Sequence, residues 1–247
     1  MNCGDDIMIK AIIFDKDGTL IDFDSFWITV SVNAINHILR KLNRKDIPLE
    51  EILISIGVKD GVTDIDGLLC KGTYEQIAVA INDILKKYEC NISEDEIIQM
   101  VLDAYNLNAD SGEVKATCAN IKQVLTDLKN KGISLAVVTT DNPEITHKCL
   151  EKLEIELLFD KIYTDDKIHP VKPDPYCALD FCKLTGAGKD EIIMVGDTMT
   201  DVRFARNAGI CVVGVGETEE KRSRLCDHAD AVFPDISYIF EYIEGEK

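Results

Sequence analysis

Residues 9–20 read Ile-Lys-Ala-Ile-Ile-Phe-Asp-Lys-Asp-Gly-Thr-Leu, a short apolar run that stops at Asp15. Continuous runs of this length read as strands buried on both faces of a parallel sheet. The same pattern recurs down the chain. Residues 133–138 (ISLAVV) stop at Thr139, 191–195 (EIIMV) run into Gly196-Asp197, and 211–215 (CVVGV) end at Gly216. Between them lie helical stretches. One covers 120–130 and closes on Lys131-Gly132, with glycine at the helix exit. Another covers 143–153, with Asn142 as N-cap and Pro143 in the first turn. A third opens at Asp174-Pro175, and a fourth covers 199–207 before Ala208-Gly209. Strands alternating with helices predict an α/β fold built on a doubly wound parallel sheet. In such sheets ligands bind at the carboxyl edge of the strands. Asp15, Thr139 and Asp197 therefore share one rim.

Residues 21–111 break the alternation and read as mostly helical: 25–42, 49–56, 74–88 and 93–105. Ser93 with Glu96 is a capping-box pattern. Trp27 shares a helix face with Phe26, Val30, Ala34 and Ile38 and reads as a packing residue. The predicted organisation is a sheet core from 1–20 and 112–247, interrupted by a helical insertion at 21–111.

Composition narrows the function. The apolar fraction of 46% suits a packed globular chain, and the net charge of -18 excludes nucleic acid and anionic membrane surfaces as partners. No run reaches the roughly 20 apolar residues of a membrane helix. The N-terminal stretch has acids where a signal peptide has bases, which points to a cytoplasmic protein. The nine cysteines are odd in number and without C-x-x-C spacing, as expected for reduced thiols. A chain this acidic repels phosphorylated molecules at long range. Any phosphate site must be neutralised locally, by a cation, a lysine and backbone N–H groups.

Four segments meet that requirement. In Asp15-Lys16-Asp17-Gly18, two acids one residue apart point the same way on extended backbone. One can attack while the other manages a leaving-group proton. Thr139, just past a buried strand, can donate to a phosphate oxygen. Lys172 precedes Pro173-Asp174-Pro175, near a helix N-terminus that favours anions. Asp197 and Asp201, in Gly196-Asp197-Thr198-Met199-Thr200-Asp201, follow another buried strand. Asp197 offers oxygen to a hard cation, whereas Asp201 fits both metal ligation and a capping box with Thr198. Each segment alone is equally a loop, a turn or a solvated surface.

Together and in this order, FDKDGTL (14–20), VVTTDN (137–142), VKPDP (171–175) and VGDTMTD (195–201) resemble the haloacid dehalogenase-like hydrolase superfamily, within it the phosphoglycolate phosphatase-like group with a helical cap. The resemblance spans essentially the whole chain. It implies a Rossmann-like core, Asp15 as nucleophile and Asp17 as general acid and base. It implies phosphate ligands at Thr139, Thr140 and Lys172. It further implies Mg2+ held by Asp15, the backbone carbonyl of Asp17, and Asp197, with Asp201 nearby. Thr140 departs from the family's usual asparagine at that place.

The activity implied is a Mg2+-dependent phosphatase acting on a small phosphorylated metabolite, phosphoglycolate-like or a sugar phosphate, through an aspartyl-phosphate. A phosphomutase on the same core is the nearest alternative, although Thr19 resembles the phosphatase pattern rather than the valine common among mutases. A non-catalytic phosphate-binding protein on this fold is the alternative from another class. A dehalogenase would lack the second acid at position 17. Lys71, between cap helices, is a candidate substrate contact. The acids Asp60, Asp64 and Asp66 lack the spacing of a calcium loop.

Overall fold

The computed structural model describes residues 8–245 and contains eight strands. They are β1 (Ala11–Phe14), β2 (Val58–Lys59), β3 (Val62–Thr63), β4 (Ser134–Val138), β5 (Lys161–Tyr163), β6 (Ile192–Gly196), β7 (Cys211–Val215) and β8 (Ala231–Phe233). Six form one sheet in the order β5-β4-β1-β6-β7-β8, with every pairing parallel. This is the doubly wound α/β architecture expected from the alternation, with the Rossmann-like core that the resemblance implies.

The four strands legible in the sequence are the four central ones. Each is covered on both faces, which is why each reads as an unbroken apolar run. The two not anticipated, β5 and β8, are the sheet edges. They are three residues long and only partly buried, so no continuous run marks them. Helices pack through stripes at helical spacing. Ile121, Val124, Leu125 and Leu128 are the buried face of the helix Ile121–Asn130. One core cluster joins Ile13, Ala136 and Met194 of the sheet to Phe181 and Phe204 of two helices. The helix Pro143–Lys152 starts as expected, with the Asn142 side chain accepting from the Ile145 N–H at 3.0 Å.

The chain divides into two compact units. The sheet unit runs through Asp22 and resumes at Val114, and the other is Phe23–Glu113. The second unit contains the helices Phe23–Lys41, Leu49–Ser55, Leu68–Lys71, Tyr74–Lys87 and Glu94–Asn108. Phe26, Val30, Ala34, Ile35 and Ile38 form the buried face of the first of these. Trp27 is half-buried and packs edge-on against Phe26 at 5.2 Å between ring centroids. Ser93 caps its helix by accepting from the Glu96 N–H at 3.4 Å, while the full reciprocal pair of bonds forms at Thr73 and Gln76.

A feature absent from the sequence reading is the antiparallel hairpin of β2 and β3. Asp60 (φ 51°) and Gly61 (φ 77°) form its turn. Consecutive positive φ angles are what a two-residue hairpin turn requires, and Asp-Gly is a favoured dipeptide for it. The acid at position 60 is thus explained by the turn. Lys71 is exposed and ion-paired with Asp66.

Seven cysteines are free thiols. Cys211 is disulfide-bonded, a departure from the expectation of reduced thiols throughout, and Cys3 lies outside the described residues. Among the described residues no helix is long and apolar enough to cross a membrane.

Candidate active site

Strand register assembles the rim. Phe14 of β1 is level with Val137 of β4 and Val195 of β6, and the Asp15 N–H donates to the Val195 carbonyl at 2.9 Å. The chain therefore leaves three adjacent strands at nearly the same height, carrying Asp15, Thr139 and Asp197 to one edge. Beyond Asp15 the backbone folds into a tight loop. The Lys16 carbonyl accepts from the N–H groups of Leu20 and Ile21, and the Gly18 N–H donates to the Ile21 carbonyl at 2.7 Å. Gly18 has φ +80°, and a Cβ there would lie 2.1 Å from Asp197 Oδ2. Glycine is required at this position on both counts.

Asp15, Asp197 and Asp201 each present a carboxylate oxygen within 4.8 Å of the other two. Lys172 enters this group from the segment between β5 and the helix Tyr176–Thr185. Its ammonium donates to Asp15 Oδ1 and, at 2.7 Å, to Asp201 Oδ1, with only 3% of its side chain exposed. The other Asp201 oxygen accepts from the Thr198 N–H at 3.0 Å and its hydroxyl at 2.7 Å. Asp201 thus caps the helix Met199–Ala208 and holds Lys172 at once. Gly196 makes room for it, since a Cβ there would lie 2.4 Å from the Asp201 side chain.

Burial pushes Asp15 up to about 7, with the neighbouring charges of Asp201 and Asp17 adding to it and Lys172 opposing it. Asp197 is raised for the same reasons, burial first and then the Asp15 and Asp201 carboxylates. Burial works against charge on Lys172, yet Asp15 and Asp201 outweigh it and raise its pKa. Carboxylates crowded beside one lysine are under-compensated, and buried Asp197 Oδ1 has no hydrogen-bond partner. An all-oxygen donor set with an orphaned buried oxygen suits a small hard cation such as magnesium. The residues present fit that ion.

The remaining sequence candidates divide. Thr139 is buried. Its N–H donates to the Tyr163 carbonyl at 3.0 Å, and its Oγ1 accepts from the Asp141 N–H at 3.1 Å, which leaves the hydroxyl proton to donate. Thr140 is exposed. The Asp17 side chain is outside the three-carboxylate group and turns towards Lys16.

Lys16 and Asp141 are the residues that sequence reasoning overlooked. Lys16 is wholly buried, with its Nζ 2.7 Å from Asp17 Oδ1 and 3.1 Å from Asp141 Oδ2. Burial opposes its charge, but Asp17 and Asp141 prevail and its pKa is raised. Asp141 is raised by burial, against the pull of Lys16. The one sequence signal was a lysine just past the end of an apolar strand. Nothing in the spacing linked it to position 141.

The sequence model of the haloacid dehalogenase-like hydrolases matches residues 9–209. A phosphoglycolate phosphatase of Psychrobacter arcticus is 26% identical over 236 residues, covering 95% of each chain. A pyrophosphatase, PpaX, of Bacillus mycoides is 24% identical over 218 residues, covering 88% of each. A crystal structure from Haemophilus somnus, described as a predicted phosphoglycolate phosphatase, superposes with a TM-score of 0.67. It covers 95% of this chain and 97% of its own at 24% identity, a likeness of fold.

Proposed function

The chain belongs to the haloacid dehalogenase-like hydrolases and is a phosphatase of that family, and on that premise we propose that it is magnesium-dependent, works through an aspartyl-phosphate on Asp15, and acts on a small phosphorylated metabolite. The observation that carries the reading is the buried Asp15 carboxylate, held by Lys172 and beside Asp197 and Asp201. A structural ion pair could be replaced by apolar residues at little cost or with a gain. Two buried acids and a half-buried third around one lysine are hard to explain by stability.

In the proposed reaction an Asp15 carboxylate oxygen attacks phosphorus while the bond to the leaving oxygen breaks. Asp17, protonated, delivers its proton to that oxygen. Asp17 then accepts a proton from the water that attacks the aspartyl-phosphate, and phosphate and the Asp15 carboxylate are regenerated. One carboxyl group serves as acid and then as base. Lys172 neutralises the transferring group, and the Thr139 hydroxyl and backbone N–H groups after Asp15 donate to its oxygens. Thr140, exposed at the rim, has the weaker claim to contact phosphate. Asp15, the Asp17 main-chain carbonyl and Asp197 would hold magnesium, with Asp201 supporting Lys172 from behind. Magnesium, when bound, supplies positive charge that offsets the phosphate oxygens. The helical unit is proposed as the cap that selects the substrate. Phosphoglycolate and pyrophosphate are the first candidates, as the substrates named in similar proteins.

The test is magnesium-dependent release of phosphate from p-nitrophenyl phosphate and a panel of phosphorylated metabolites. Activity is expected in the wild type and its loss in Asp15→Asn. A wild-type protein inert across the panel, or an active Asp15→Asn variant, would overturn the proposal.

A further inference from the structure

Lys16 takes no part in the reaction as written above, yet it is among the most completely buried residues in the protein. It lies between two acids, in the loop just past the end of β1, with its side chain enclosed by the protein. Its ammonium reaches Asp17 Oδ1 at 2.7 Å and Asp141 Oδ2 at 3.1 Å. Asp141 is itself braced. Its N–H donates to Thr139 Oγ1 at 3.1 Å, its carbonyl accepts from the Asp165 N–H at 2.8 Å, and its Oδ1 accepts from the Asn142 N–H at 2.9 Å. Asn142 in turn caps the helix Pro143–Lys152. A continuous set of contacts therefore runs from a helix start through Asp141 and Lys16 to one oxygen of Asp17.

We propose that Lys16, anchored by Asp141, is a positioning residue that fixes the Asp17 carboxyl group so that its second oxygen faces the leaving-group oxygen. The physical case rests on what the alternatives would look like. A buried ion pair is weak as a source of stability, and an apolar residue would fill the same space without burying an ammonium. What the bridge provides is a fixed rotation of Asp17. With Oδ1 tied to Lys16, rotation about the Cβ–Cγ bond is restrained, and Oδ2 is the oxygen left to face the leaving group. Acid catalysis requires hydrogen-bond reach to the oxygen that leaves, and small misplacements there are costly in rate. The inference rests on the reading of Asp17 as acid and base, and its test separates the two.

Protonation matters most when the leaving group is a poor one. The experiment compares kcat/KM for an alkyl phosphate with that for p-nitrophenyl phosphate in wild type, Lys16→Met, Asp141→Asn and Asp17→Asn. Methionine keeps the unbranched stem and removes the charge. In Lys16→Met the alkyl phosphate is expected to lose about 30-fold or more, as for impaired acid catalysis. The loss on p-nitrophenyl phosphate should be about tenfold smaller than that. Asp141→Asn should show the same preference more weakly, and it serves as the deciding variant if Lys16→Met does not fold. Asp17→Asn should show the preference most strongly. Equal losses on both substrates, or no loss, in the Lys16 and Asp141 variants while Asp17→Asn is selective would overturn the positioning role and leave the proposed reaction standing. Absence of selectivity in Asp17→Asn itself would remove the role of Asp17, and the inference with it.

Discussion

The two units bury polar groups of different kinds. In the sheet unit the buried polar residues include the charged groups Asp15, Lys16, Lys172 and Asp201, all gathered at the carboxyl edge of the strands. In the helical unit the buried polar residues identified are the neutral Ser31 and Asn82. There the Tyr105 hydroxyl donates to Ser31 Oγ at 3.0 Å, and Asn82 donates to the Ile92 carbonyl at 3.2 Å. Neutral pairs of this kind let helices pack without charge repulsion, although Asn82 Oδ1 has no hydrogen-bond partner. Buried like charges do not, since each carboxylate raises the cost of ionising its neighbour. The difference separates a region shaped by packing from one that concentrates the charges the proposed reaction uses.

Substitutions can break or sharpen that contrast. The largest effect is expected from Lys172→Met, which leaves Asp15 and Asp201 buried without their cation. Removing one partner from a buried pair costs roughly 3–5 kcal/mol, to be read by denaturant unfolding of the metal-free protein, and turnover should be lost with it. Asp197→Asn should act in opposite directions on the two properties. It relieves repulsion with Asp15 and Asp201, so the metal-free melting temperature should rise. Turnover should fall about 100- to 1,000-fold, the usual consequence of losing an electrostatic group at a reacting centre. The rise in melting temperature that magnesium gives the wild type through ligand linkage should shrink as well. A variant that melts lower in the absence of metal would contradict the picture of an over-charged site. The smallest effect belongs to the helical unit. Tyr105→Phe removes one neutral buried hydrogen bond and should cost about 1 kcal/mol, with turnover on p-nitrophenyl phosphate unaltered. A large loss of activity there would erase the distinction between the units.

The same contrast governed what could be read in advance. Central strands and amphipathic helices were legible because burial on two faces, or on one stripe, leaves a local periodic trace. The edge strands β5 and β8 left none, because a strand covered on one side needs no apolar run. The hairpin at 58–63 did leave a trace, the Asp60-Gly61 dipeptide, but the neighbouring acids Asp64 and Asp66 give the same stretch the look of an acidic cluster. Asp15, Thr139, Lys172 and Asp197 were accessible as candidates because each follows a strand end or precedes a helix start.

By itself the sequence determined the α/β alternation and the placing of Asp15, Thr139 and Asp197 just past strand ends, since both depend on local order along the chain. Only the tertiary structure decided how their side chains are shared out. It gave both Asp201 oxygens to Thr198 and Lys172, turned Asp17 away from the three-carboxylate group, and joined Lys16 to a residue 125 positions further on. The reason is that a charge inside a protein is partnered by whatever the fold brings within a few ångströms, and separation along the chain carries no record of that distance.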